Sequence, residues 1–109
     1  MSERCGVIAL IRPLPEFHEE VRESLLRVIP RVHDEPGCEL YALHEAVDGT
    51  LIFVEMWTTR QHWQDHMDRD TVQEVMSATA GKLAADIEVH EAYGLPAGDL
   101  GKGVLPGSS

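Results

Sequence analysis

EPGCELYALHEAVDGTLIFVEMWTTRQHWQDHM, residues 35–67, is the stretch whose reading decides the fold of this 109-residue chain. Asp48-Gly49 at its centre is a strong hairpin signal, because glycine adopts the positive φ that a tight turn needs. The flanking runs, residues 38–47 and 50–58, read as the two strands. With Val47 facing Thr50 across a two-residue turn, the pairs Ala46/Leu51, His44/Phe53, Ala42/Glu55 and Leu40/Trp57 share one face. Tyr41, Leu43, Ile52, Val54 and Met56 share the other. Both faces are largely apolar, so helices are expected to cover one and a second copy of the chain the other.

Working outward, residues 5–12 form a Val/Ile/Leu-rich first strand that stops at Pro13-Leu14-Pro15. From Glu16 onward, Phe17, Val21, Leu25, Val28 and Val32 recur at helical spacing, with Glu16, Glu19 and Glu20 early and Arg27 and Arg31 late, an order that suits the helix dipole. Pro30 lacks the amide hydrogen that the helix uses, so a kink or an early end is expected there. Beyond the hairpin, Thr59 can cap a short helix with Trp63 and Met67 turned inward, His66 at the edge of that stripe and His62 further round. Asp70, with Gln73 three positions on, can start another helix bearing Val72, Val75, Met76, Thr79 and Leu83 on one side. Residues 86–93 alternate Ile87 and Val89 with polar residues and give a last strand. Residues 94–109, rich in glycine and proline, read as a flexible tail or an arm laid on a partner.

The resulting order, β-α-β-β-α-β with the second helical segment in two pieces, is that of a ferredoxin-like α+β sandwich with an antiparallel sheet, here one domain over residues 1–93. In that topology the first strand neighbours the third, and the second lies at an edge. Cys5 and Cys38 are then about 10 Å apart, two strand spacings and beyond disulfide reach, which fits free thiols in a reducing cytoplasm.

Composition narrows the function. Apolar residues at 43% and charged residues at 26% are ordinary globular usage. A formal charge of −10 argues against nucleic acid and anionic membrane surfaces as partners. The longest early apolar run, residues 5–11, is far too short to cross a bilayer, so neither a signal peptide nor a membrane helix is expected.

Among the side chains that carry chemistry, His62 and His66 are spaced i, i+4, yet Trp63 stands where a zinc protease has its glutamate and no third ligand is visible, so no metal site is expected. Phosphate-binding glycine loops, nucleophile elbows and dinucleotide fingerprints are lacking. What remains is the face bearing His44, Glu55 and Trp57, with Phe53 and Leu40 between them. A carboxylate inside an apolar run is costly to bury unless it is paired, and His44 lies diagonally across the predicted hairpin. Two readings stay open: a structural His-Glu pair with Trp57 as ordinary core, or one wall of a cavity for a small aromatic ligand. In the second, Trp57 stacks on the ring and His66 takes a phenolic proton at neutral pH, with Leu40, Phe53, Trp63 and Met67 completing the lining.

The chain also resembles a known family, the antibiotic biosynthesis monooxygenase (ABM) superfamily, and in particular its quinol monooxygenase branch. The resemblance rests on Glu35-Pro36-Gly37-Cys38, Tyr41-Ala42-Leu43-His44, Glu55-Met56-Trp57 and His66-Met67, similar to the family's EPGC, Y-x-LH, E-x-W and AHL elements. It implies a dimeric α/β-barrel built from ferredoxin-like domains that oxidises a quinol or anthrone-like substrate with dioxygen and uses no cofactor. On that resemblance His66 is the proton acceptor or a hydrogen-bond donor and Trp57 the aromatic wall, while His44 and Glu55 orient substrate or tune one another. Arg69, Asp70 and Thr71 stand where many relatives have a second histidine, which argues against a two-histidine proton relay. His66 and Met76 stand where haem-degrading members place a tryptophan and a later histidine, which disfavours haem degradation. A non-catalytic dimer binding a small molecule and an isomerase of a small carbonyl metabolite are the alternatives.

Overall fold

The computed structural model describes residues 3–106. Its elements are β1 (Cys5–Ile11), a 3-10 turn (Pro15–Phe17), α1 (His18–His33), β2 (Cys38–Glu45), β3 (Leu51–Trp57), α2 (Arg60–Met67), α3 (Asp70–Thr79) and β4 (Glu88–Ala92). The strands form one antiparallel sheet in the order β2-β3-β1-β4, with β1 beside β3 and β2 at an edge. This is the ferredoxin-like α+β sandwich expected from the order of elements. Cys5 and Cys38 lie opposite the same residue, Trp57, from strands on either side of β3, and both are free thiols.

α1 buries the stripe Val21, Leu25, Val28 and Val32 against the sheet, where it meets Val7, Ile11, Leu51, Phe53 and Trp57 in one core. Pro30 does not end the helix, which runs on to His33. The proline removes one backbone hydrogen bond, but Val28 and Val32 are fully buried on either side of it and hold the last turn in place. Pro30→Ala is accordingly expected to raise stability by about 1–2 kcal/mol, because a helical hydrogen bond is regained against a small loss of unfolded-state rigidity. Urea denaturation checks this, and an unchanged midpoint would count against it.

The hairpin differs from the sequence expectation in register. Leu43 faces Phe53, His44 faces Ile52 and Glu45 faces Leu51, one residue off the expected pairing. The turn holds three residues, not two. The Gly49 amide donates to the Ala46 carbonyl, Ala46 bonds back to Thr50, and Gly49 itself takes φ 93°, which makes a type I turn followed by a bulge. Asp48 steadies the loop by accepting the Thr50 amide at 2.9 Å. One added loop residue reverses the parity of β2 while leaving that of β3 unchanged. Phe53, Glu55 and Trp57 face the helices as expected, but Tyr41 and Leu43 join them there. His44 and Leu40, expected on the inner face, stand opposite Ile52 and Met56 on the outer one.

That outer face carries Ile8, Leu10, Leu40, Ala42, Ile52 and Val54, all half-buried. Met56, also on it, is buried, and the groove beside it is lined by Tyr93, Pro96, Val104 and Leu105 of the C-terminal segment. No helix among the described residues is long and apolar enough to cross a membrane.

Candidate active site

α2 begins as the sequence implies: the Thr59 hydroxyl accepts the His62 amide at 3.2 Å. Its buried side differs from the expected one. Trp63 is half-buried and Met67 is 39% exposed, whereas His66 is only 3% exposed and is the buried residue of the helix. The cause lies in the turn that follows α1. Gly37 takes φ 81°, and a Cβ there would overlap the His62 ring, so only glycine lets this turn close onto α2. The closure delivers Glu35 to the junction of α2 and α3. Its Oε1 lies 2.7 Å from His66 Nδ1, and its Oε2 accepts the Thr71 hydroxyl at 2.7 Å.

Burial pushes the His66 pKa down, and the hydrogen bond and charge of Glu35 offset this only in part. The contact is therefore a hydrogen bond from a neutral ring more than an ion pair. A neutral imidazole facing a carboxylate carries its proton on the facing nitrogen, which assigns the hydrogen to Nδ1 and a lone pair to Nε2.

Glu55, 4% exposed, accepts the Trp57 indole N–H at 3.0 Å on Oε1. Desolvation raises its pKa to about 7; the indole hydrogen bond opposes the rise and the Glu35 charge adds to it. It therefore titrates near neutrality. Trp57 joins the two groups, since its ring also stacks on His66 with centroids 4.6 Å apart. Tyr41 meets His66 edge-on at 5.6 Å and stacks on Phe53 at 4.4 Å.

Between this layer and α3 lies a cavity of about 80 Å³, lined by His66, Glu55, Tyr41, Phe53, Trp63 and Met67 with aliphatic residues of β1 and α3. The structure thus brings together five of the eight residues singled out from sequence: His66, Glu55, Phe53, Trp63 and Met67. It does not bring in the other three. Trp57 is 0% exposed and sits behind His66, not on the cavity wall, so it cannot stack on a bound ring. His44 and Leu40 are removed by the register of β2. His44, expected beside Glu55, is exposed on the opposite face of the sheet. Sequence reasoning missed Tyr41, Glu35 and Thr71. Counting Tyr41 from a three-residue loop would have found it, whereas Glu35 and Thr71 needed the tertiary position of the Gly37 turn.

Because Trp57 supplies the only hydrogen bond to Glu55 among the described residues, Trp57→Phe has a defined signature. Losing the donor is expected to raise the Glu55 pKa further and to cost about 1–3 kcal/mol at pH 8, with a smaller loss at pH 4. Equal losses at both pH values would contradict it. His62 Nδ1 lies 2.8 Å from the Thr59 hydroxyl and His66 Nδ1 2.7 Å from Glu35 Oε1. Among the described residues no group of three or more His, Cys, Asp or Glu is placed to hold a metal ion.

The fold recurs in solved structures. The chain is similar to the Rv0793 protein of Mycobacterium tuberculosis, with TM-score 0.82 and 23% identity over 89% of this chain and 100% of that one. It is similar also to a Nitrosomonas europaea protein whose name carries the designation antibiotic biosynthesis monooxygenase, with TM-score 0.80 and 15% identity over 87% and 93% of the two chains. A Caulobacter crescentus protein of the same designation gives TM-score 0.79 and 20% identity over 86% and 92%. These likenesses define the class as small ferredoxin-like α+β domains. The antibiotic biosynthesis monooxygenase family model matches residues 5–78, and the chain belongs to that family. No curated protein matches its sequence.

Proposed function

We propose that the protein is a cofactor-independent monooxygenase that oxidises a small aromatic substrate, a quinol or an anthrone, with dioxygen. The observation that carries this reading is His66: a neutral imidazole, fixed through Nδ1 on Glu35, on the wall of an apolar cavity that it shares with a carboxyl titrating near pH 7. His66 Nε2 takes the phenolic or enolic proton, and the largely apolar lining limits the water around the resulting anion. The anion supplies the electrons and forms a carbon–oxygen bond with dioxygen. The oxygen–oxygen bond then breaks, one oxygen stays in the product and the other leaves as water, with its protons drawn from His66 and the substrate. A hydroquinone and dioxygen give in this way a hydroxyquinone and water, and an anthrone gives an anthraquinone and water. Glu55, in its protonated form, donates a hydrogen bond to a substrate oxygen. Trp57 acts through Glu55 and His66 as a positioning residue.

Oxygen uptake with a series of hydroquinones and anthrones tests the proposal. The wild type is expected to consume oxygen, and Trp57→Phe to retain part of the rate. Thermal stabilisation by these ligands without oxygen uptake would identify a binding protein instead, and anaerobic turnover of a carbonyl metabolite an isomerase.

The protein is further proposed to act as a homodimer in the cytoplasm. Support for the dimer comes from the apolar outer face of the sheet, where Leu10, Leu40, Ala42, Ile52 and Val54 are half-buried outside the groove that the C-terminal segment lines at Ile8 and Met56. Light scattering at micromolar concentration is expected to give twice the chain mass, and a monomer would overturn this part.

A further inference from the structure

The structure assigns to Glu35, with Thr71 behind it, the positioning of His66: together they hold the imidazole in one tautomer and stabilise the cation that forms when it takes a proton. This rests on the reading of His66 as the base. Glu35 belongs to the turn after α1, His66 to the last turn of α2 and Thr71 to the first turn of α3, so three segments converge on one carboxyl group. Its side chain is 8% exposed and both oxygens are used, Oε1 on His66 and Oε2 on Thr71, each at 2.7 Å. A carboxylate held from both sides has one orientation to offer the ring.

The surroundings of His66 leave this role to Glu35. From the link between α2 and α3, Arg69 approaches the same Glu35 oxygen, at 3.9 Å, while its own side chain reaches solvent. From β2, Tyr41 presents its ring edge, with a hydroxyl that burial keeps protonated. From β3, Glu55 lines the same cavity, bonded to Trp57. Glu35 is therefore the one anion that touches the ring among the described residues. When Nε2 accepts a substrate proton, Nδ1–H already points at a negative charge, so the imidazolium forms without reorganisation. The proton returns from Nε2 to the departing oxygen as water is released, and the ring regains its starting tautomer.

The competing role is mechanical, a staple between the turn and the two helices, in which loss of the charge with the shape kept would leave the rate at neutral pH unchanged. Glu35→Gln separates the two. Its amide oxygen can still accept Nδ1–H and its amide nitrogen can donate to the Thr71 oxygen, so shape is kept and only the charge is lost. In the variant the His66 titration midpoint, followed by imidazole NMR shifts, is expected to move to lower pH. The rate at neutral pH is expected to fall roughly tenfold to a hundredfold, a share of what a positioned base contributes, with little change in KM. An unmoved midpoint overturns the assignment. Should the variant fail to fold, the wild type alone decides: nitrogen shifts of a neutral ring protonated on Nδ1 support the assignment, and an Nε2–H ring overturns it. Both readouts need no turnover, so a wild type that consumes no oxygen would defeat the proposed activity while leaving this inference tested on its own.

Discussion

Glu55→Gln is expected to make the protein about 3 kcal/mol more stable than wild type at pH 8 and to leave it nearly unchanged at pH 4. The buried carboxyl has its pKa raised from 4.5 to about 7. Below pH 4.5 the folded and unfolded chains both hold the proton, and burial then costs little. As the pH rises from there to about 7, the unfolded chain releases its proton while the folded chain keeps it, so stability falls by about 1.4 kcal/mol per pH unit before levelling off. Glutamine has the same shape, accepts the same indole hydrogen bond and never ionises, so it removes that alkaline loss. His66 has the opposite sign, because its depressed pKa contributes stability above its unfolded value that is lost as the pH falls. The variant should therefore keep the acid-side decline and lose the alkaline one. Denaturant unfolding at the two pH values measures both, and an equal effect at pH 4 and pH 8 would show that Glu55 is not a buried titrating group.

His66→Ala is expected to lower oxygen uptake by about two to four orders of magnitude, the range that a positioned general base contributes. It should also cost about 2 kcal/mol of stability, because the Glu35 carboxyl then stays buried with Thr71 as its one close partner. Stability can be restored without activity. Adding Glu35→Gln to His66→Ala removes the stranded charge and should recover part of the folding free energy while the rate stays low. A double variant that regained the rate would show that His66 serves the fold and not the chemistry.

The fold was legible because the order of elements stands in the sequence and α1 and β3 carry their own periodicity; α3 departs from the expected stripe, ending at Thr79 short of Leu83 with Met76 54% exposed. The α1 stripe of Val21, Leu25, Val28 and Val32 is fully buried as its spacing implies, and Thr59 caps α2. β3 shows the expected parity. The site was legible only in part, and one loop residue explains most of the difference. Asp48-Gly49 announces a turn but does not distinguish a two-residue loop from a three-residue one, and that single count moves Tyr41 into the site and His44 and Leu40 out of it. His66 was singled out for its chemistry while its burial went unforeseen, since helical spacing favours Trp63 and Met67 as the inward residues. Its burial depends on Glu35, 31 positions earlier in the chain, which the Gly37 turn carries onto α2. Long-range placement of that kind leaves no periodic trace. Trp57 shows the converse: an aromatic residue beside a candidate cavity lies in the core behind it.

The central claim, that oxygen from dioxygen enters an aromatic substrate bound against His66, is tested most directly by isotope labelling. Purified protein is incubated with the hydroquinone or anthrone that supports the fastest oxygen uptake, under ¹⁸O₂ in ordinary water, and the product is analysed by mass spectrometry. The account expects one labelled oxygen atom per product molecule with wild type and little product of any kind with His66→Ala. Product whose added oxygen came from water, or equal labelled product from both proteins, would contradict it.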